Sequence, residues 1–227
     1  MKILCLHGVR QSASIFAKKL FGNSFANSCT RSDSESFILE KHGFEFIFIN
    51  GPHVIAPDLP KTAQPRQFAC EMFSWWERKN DNGSAALKLL EKALETHHHK
   101  IEGVLGFSQG GALAAALCRS NSFWNPSIAI FISAYYVNPP FLLPELISPS
   151  LNEVPSSKIS SLHIWGDSDQ IVPGSKSQVL CNWMKGDFSV IAHGGHAVPT
   201  EMFLEKTVFP WLIKNRSSPS YDYSSGT

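Results

Sequence analysis

The segment Gly106-Phe-Ser108-Gln-Gly110 carries the strongest chemical signal in the chain. A serine flanked by glycines two residues away on each side fits a sharp turn from a strand into a helix. Such a turn strains the serine backbone and needs glycine wherever a Cβ would meet neighbouring chain. An apolar run at 103–107 leads in, and an alanine-rich stretch at 112–118 leads out. On this elbow the Ser108 hydroxyl stands above the sheet edge at a helix N-terminus, where the dipole favours developing negative charge. A serine hydroxyl is a poor nucleophile until a base accepts its proton, and the base needs a third group to orient it.

Chain order narrows the partners, because on such an elbow the acid follows the serine and the histidine follows the acid. Trp165-Gly-Asp167-Ser-Asp169-Gln-Ile-Val-Pro173 comes at a strand end, where a loop can present a carboxylate over the sheet. With the acid there, two of the nine histidines remain, both in His193-Gly-Gly-His196-Ala-Val-Pro199, between the last strand and the final helix. The residues alone leave Asp167 or Asp169 and His193 or His196. An oxyanion hole completes the set. Leu6-His7-Gly8-Val9 ends the first strand, and Gly8 lets the Val9 N–H turn toward Ser108. The second donor is the N–H of Gln109, the residue after the nucleophile. His7 precedes the serine and so reads as a turn residue.

The elements that must hold these residues alternate. Strands are predicted at 2–6, 44–50, 103–107, 128–133, 161–165 and 189–192, most of them near-continuous apolar runs of the kind covered on both faces. Helices are predicted at 84–99, with Ser84 as N-cap, at 112–118, and at 201–214, where Pro210 should kink or end the helix. Strand alternating with helix implies an α/β fold, a mostly parallel central sheet with helices on both faces. Two proline-rich segments break the alternation and read as long loops, 51–65 and 138–157, the second with five prolines. Residues 1–214 are expected to form one domain and 215–227 a flexible tail.

Composition removes other classes. Lysine plus arginine total 20 against 19 acids, a net charge of +1, so no phosphate-binding face and no nucleic-acid partner are expected. The five cysteines are scattered without a C-x-x-C pair, which signals neither a disulfide framework nor zinc. No segment approaches the roughly 20 apolar residues of a membrane span, and the apolar run at the N-terminus is too short for a secretory signal. The expected compartment is the cytoplasm or nucleus. His97-His-His99 cannot all face one ion without distortion and reads as a solvated helix end, so neither a metal nor a cofactor is expected.

Taken together, these residues resemble the FSH family of serine hydrolases, found in fungi and related to the human ovarian-cancer-associated esterase. The resemblance runs over about residues 1–214. It rests on Leu6-His-Gly-Val-Arg-Gln-Ser12, Gly51-Pro-His53, Phe73-Ser-Trp-Trp76, Gly106–Gly110, Ser168-Asp-Gln-Ile-Val-Pro173 and Gly194-Gly-His-Ala-Val-Pro199. One departure is Ala192-His193, where family members often have His-Pro. The resemblance implies a single α/β-hydrolase domain with a triad of Ser108, Asp169 and His196. It further implies hydrolysis of small-molecule esters through an acyl-enzyme on Ser108. Bulky apolar residues beside the two long loops, Trp75 and Trp76 after the first and Phe141 and Leu142 within the second, are either core or walls and lid of an acyl pocket. With no cluster of cations beside them, apolar acyl chains are the expected substrates. Two alternatives stay open: a thioesterase of the same fold, which passes through the same tetrahedral geometry, and a ligand-binding protein of this fold without turnover. Oligomeric state is beyond the sequence.

Overall fold

The apolar runs form the middle of a seven-stranded sheet. The computed structural model describes residues 1–22, 34–39, 42–56, 71–77, 81, 83–97, 100–119, 124, 126–137 and 159–216. The sheet is built from β1 (Lys2–Leu6), β2 (Ser34–Leu39), β3 (Phe44–Ile49), β6 (Ile101–Phe107), β7 (Ile128–Ile132), β8 (Ser160–Gly166) and β9 (Asp187–Ile191), in the order β2-β3-β1-β6-β7-β8-β9. Every pairing is parallel except β2 with β3. Two short strands, β4 (His53–Ile55) and β5 (Met72–Ser74), pair antiparallel in a separate hairpin. The predicted loop at 51–65 is therefore strand at its start, and 57–65 lie outside the described residues. So does the whole predicted loop at 138–157, with Phe141 and Leu142.

Successive strand residues point to opposite faces, and each face buries its own cluster. Leu4, Leu6, Ile47 and Ile49 pack with Trp75 and Trp76 and with helices α2 (Ser84–Thr96), α3 (Gln109–Arg119) and α4 (Gly174–Met184). Ile3, Cys5, Phe46 and Phe48 pack on the other face, against α1 (Ala13–Phe21) and the C-terminal helix. That helix runs from α5 (Glu201–Phe203) through a π-helical stretch, Leu204–Val208, into α6 (Phe209–Asn215). The expected break at Pro210 is absorbed: Phe209 N–H bonds the carbonyl of Leu204, five residues back, in a widened turn beside a proline that has no N–H to give. The α2 N-cap is Gly83, one residue before the expected Ser84. Among the described residues no helix is long and apolar enough to cross a membrane, and Cys5, Cys118 and Cys181 are buried free thiols.

Candidate active site

Ser108 is the only residue between β6 and α3, and its φ is +52°. A non-glycine residue there costs about 1–3 kcal/mol and persists only when its surroundings hold it. Its N–H donates to the carbonyl of Ile132 at 2.9 Å, and its own carbonyl accepts from Ala112 N–H at 2.9 Å. Gly110 lets α3 close on the end of β1, since a Cβ there would come within 2.5 Å of the His7 carbonyl oxygen. The end of β1 and the turn at Ser108 therefore touch backbone to backbone.

Asp169 lies in the turn after β8, its side chain without exposed surface. Oδ1 accepts from Ile171 N–H at 2.9 Å and Val172 N–H at 2.8 Å, and Oδ2 accepts from His196 Nδ1 at 2.8 Å. Burial works to raise this carboxyl. The Val172 N–H, the His196 ring and the Ser133 hydroxyl outweigh it and hold the group below its ordinary value. An ionised carboxylate only accepts, so the His196 proton sits on Nδ1. Nε2 is then the acceptor that faces the Ser108 hydroxyl at 3.0 Å. The imidazole rests on the Phe107 ring, centroids 5.0 Å apart.

The geometry separates the neighbours that the residues alone left open. Asp167 is exposed and accepts from the Ser168 hydroxyl at 2.9 Å. His193 is exposed at φ +54° and turns the loop that carries His196. Val9 follows Gly8, and a Cβ built on Gly8 would lie 3.5 Å from Ser108 Cβ, so this loop lies against the serine. Gln109 opens α3, where its N–H has no acceptor within the helix.

Trp75 and Trp76 are placed differently from an open pocket wall. Trp75 is wholly buried, and its indole Nε1 donates to the His7 carbonyl at 2.7 Å. With no exposed surface it belongs to the core beside His7. Trp76 keeps 8% exposure. The Gln109 carboxamide joins both to the elbow, Oε1 accepting from Trp75 N–H and Nε2 donating to the Trp76 carbonyl, each at 3.0 Å. Sequence reasoning missed this clamp and missed Ser133, whose φ of +44° at the end of β7 repeats the strain of Ser108. No motif announces either. A concavity of about 320 Å³ lies where the chain after β7 meets α4, lined by Tyr135, Tyr136, Ser175, Lys176 and Val179.

Comparison with known proteins places this arrangement. The sequence model of the family described as Serine hydrolase (FSH1) matches residues 1–207. Esterase GA18864 of Drosophila pseudoobscura pseudoobscura is 32% identical over 212 residues, covering 86% of this chain and 64% of its own length. This chain thus spans slightly under two thirds of that relative. Esterase OVCA2 of Bos taurus is 28% identical over 222 residues, covering 88% of this chain and 89% of its own length. Among solved structures, Zea mays acyl-protein thioesterase 2 superposes with a TM-score of 0.59 at 20% identity, covering 94% of this chain and 93% of its own. Esterase PE8 gives 0.59 at 17% identity, covering 95% and 92%. An alpha/beta hydrolase from a lagoon-sediment metagenome gives 0.60 at 16%, covering 94% and 91%. These likenesses show the fold, which is that of the α/β hydrolases.

Proposed function

This chain belongs to the FSH1 serine hydrolase family, and on that premise we propose that it is an esterase acting through an acyl-enzyme on Ser108. The observation that carries the reading is the unbroken line from Asp169 Oδ2 to His196 Nδ1 at 2.8 Å and from His196 Nε2 to Ser108 Oγ at 3.0 Å. Ser108 Oγ attacks the ester carbonyl as its proton passes to His196 Nε2, and the ionised Asp169 stabilises the imidazolium. The Val9 and Gln109 N–H groups receive the oxyanion. Removing one such donor typically costs about 10²–10³-fold in rate. Collapse breaks the bond to the alkoxide, which leaves with the proton from His196. Water, deprotonated by the same nitrogen, then releases the acid. None of these steps needs a metal or cofactor.

For the acyl group we read an apolar chain. Two exposed apolar residues stand next in the chain to the proposed site residues: Val9, 47% exposed on the oxyanion loop, and Ile171, 70% exposed two residues after Asp169. Tyr135, Tyr136 and Val179 line the concavity between the chain after β7 and α4, together with Ser175 and Lys176. Each methylene buried should add up to about 0.8 kcal/mol to transition-state binding, about fourfold in kcat/KM, until the pocket fills. The test is a fluorophosphonate probe with wild type and Ser108→Ala, followed by p-nitrophenyl esters and acyl thioesters of increasing length. Labelling and turnover should vanish in the variant, and kcat/KM should rise with chain length. Labelling that survives Ser108→Ala overturns the nucleophile, a flat or falling profile overturns the apolar pocket, and thioesters outpacing esters shift the substrate class.

A further inference from the structure

The buried ring of His7 lies outside the proton path but touches the peptide that matters most to the oxyanion. It has no exposed surface, and both ring nitrogens are engaged. Gly51 N–H donates to Nε2 at 2.9 Å, so that nitrogen carries no hydrogen. The hydrogen is therefore on Nδ1, which donates to the carbonyl of Gly8 at 2.7 Å. That carbonyl belongs to the peptide unit whose other end is the Val9 N–H. In a planar trans peptide, C=O and N–H point in opposite directions. Fixing one fixes the other.

From this geometry we infer that His7 is a positioning residue of the oxyanion hole, its Nδ1–H holding the Gly8 carbonyl so that the Val9 N–H faces the substrate oxygen. The inference rests on the proposed role of Val9. Glycine at position 8 makes such a holder necessary, because without a side chain the peptide on either side of it rotates more freely. Burial lowers the imidazole to about 4, so the neutral ring keeps one donor and one acceptor at neutral pH. The ring is itself anchored: its own residue's carbonyl accepts the Trp75 indole N–H at 2.7 Å, and the Trp75 ring lies over it at 5.0 Å. The hairpin strand β5 is stitched to the same loop, Arg10 N–H to the Phe73 carbonyl at 2.9 Å and Phe73 N–H to the Gln11 carbonyl at 2.7 Å. Preorganised donors cost no reorganisation at the moment of reaction, and a hydrogen bond of this kind supplies that order.

Two variants divide the two functions of the ring. The Asn amide nitrogen reaches the position of Nδ1, so His7→Asn keeps the donor to Gly8 and loses the acceptor for Gly51. The Gln carbonyl reaches the position of Nε2, so His7→Gln keeps the acceptor and loses the donor. The measurements are kcat and KM on a p-nitrophenyl ester, affinity for a trifluoromethyl ketone that forms a tetrahedral adduct, and folded fraction by circular dichroism at the assay temperature. Normalised to folded protein, His7→Gln should lose about 10²–10³-fold in kcat with KM nearly unchanged, and should weaken the ketone by a similar factor. His7→Asn should stay within about tenfold of wild type. Equal losses in both variants, or wild-type kcat in His7→Gln, would overturn the inference. A variant that does not fold is replaced by reading the ketone affinity of the other against wild type, where a loss in Asn or its absence in Gln overturns it equally. A wild type that neither turns over nor labels would instead overturn the esterase reading itself.

Discussion

Gly166→Ala tests how Asp169 and His196, the acid and base of the proposed mechanism, are held at hydrogen-bonding distance. Gly166 ends β8 directly before the acid loop and pairs with Ile191, directly before the histidine loop. The two loops are stitched by Ser168 N–H to the Gly194 carbonyl at 2.9 Å and Asp167 N–H to the Ile191 carbonyl at 3.2 Å. A Cβ on Gly166 would lie 2.9 Å from Gly194 Cα and closer still to its carbonyl. Carbon atoms pack at about 3.5–4.0 Å, so the loops must part by roughly 1 Å. Overpacking of this kind costs about 1–3 kcal/mol, and losing the Ser168 bond adds about 1 kcal/mol. At about 2–4 °C per kcal/mol for a chain of this size, the melting temperature should fall by about 5–15 °C. The same displacement acts on the 2.8 Å contact between Asp169 and His196, and a 1 Å misplacement costs on the order of 10²-fold in rate. Gly195→Ala is the control, since nothing lies within 4 Å of a Cβ there, and it should keep both values near wild type. The assay is kcat on a p-nitrophenyl ester at a temperature where the melting curves, taken in the same buffer, show both variants folded. Wild-type turnover in Gly166→Ala, or equal damage in the control, would refute the reasoning.

Asp169→Asn should lose about 10⁴-fold in kcat and Asp167→Asn little; a reversed ranking would move the acid. His196→Ala should be nearly inactive and His193→Asn active, since asparagine tolerates the positive φ at that turn; again kcat decides. Buried His7 and His163 are lowered to about 4 and about 3 from 6.5. The unfolded chain takes up these protons first as pH falls below about 6.5, so it binds more protons than the folded state and stability drops. Each ring contributes about 1.4 kcal/mol per pH unit, until its folded value is reached. Urea unfolding at pH 7, 6, 5 and 4 should show this slope, and His163→Leu should remove close to half of it between pH 6 and 4. An unchanged slope would show that His163 does not titrate as argued.

The central strands were legible because each is covered on both faces and reads as an unbroken apolar run, as at Ile128–Ile132. Strand β2 was not: at the edge of the sheet, Ser34–Leu39 mixes polar and apolar residues and offers no such run. Helix α4 carries little amphipathic signal, with Ser177, Leu180, Cys181 and Met184 as its buried residues. Helix α1 did carry a signal that went unread: Ser12 as N-cap, its hydroxyl accepting from Ile15 N–H at 3.2 Å, then Phe16, Ala17 and Leu20 on the buried face. The alanine-rich pattern starts α3 at Ala112, although the helix begins at Gln109, because Gly110 and Gly111 are poor helix formers kept for close approach. At the candidate site, type, order and strand ends single out Ser108 and leave a pair of acids and a pair of histidines. The choice between Asp167 and Asp169 turns on which carboxylate the turn buries, a matter of backbone N–H direction that spacing does not encode. The His7 ring and the Gln109 carboxamide were invisible for a related reason, since their partners are backbone atoms 44 and 34 residues away.

The position of β9 at the end of the sheet bears on how the protein loses activity. Among the described residues β9 has a strand neighbour on one side, β8, and Phe188 and Val190 on it are 64% and 45% exposed. The Trp211 indole clips its first residue, donating to Asp187 at 2.7 Å. Ser108, by contrast, follows β6, which is paired on both sides, with β1 and with β7. Edge elements with few buried contacts open at a fraction of the global unfolding free energy. Detachment of β9 would carry off His196 while leaving Ser108 and the core intact, so, on the proposed mechanism, the protein should pass through a folded state that has its serine and lacks its base. Heat inactivation would then precede melting, and amide hydrogens of β9 would exchange ahead of those of β6 and β7. An inhibitor bridging Ser108 and His196 would close this state by mass action, raising the inactivation temperature further than the melting temperature.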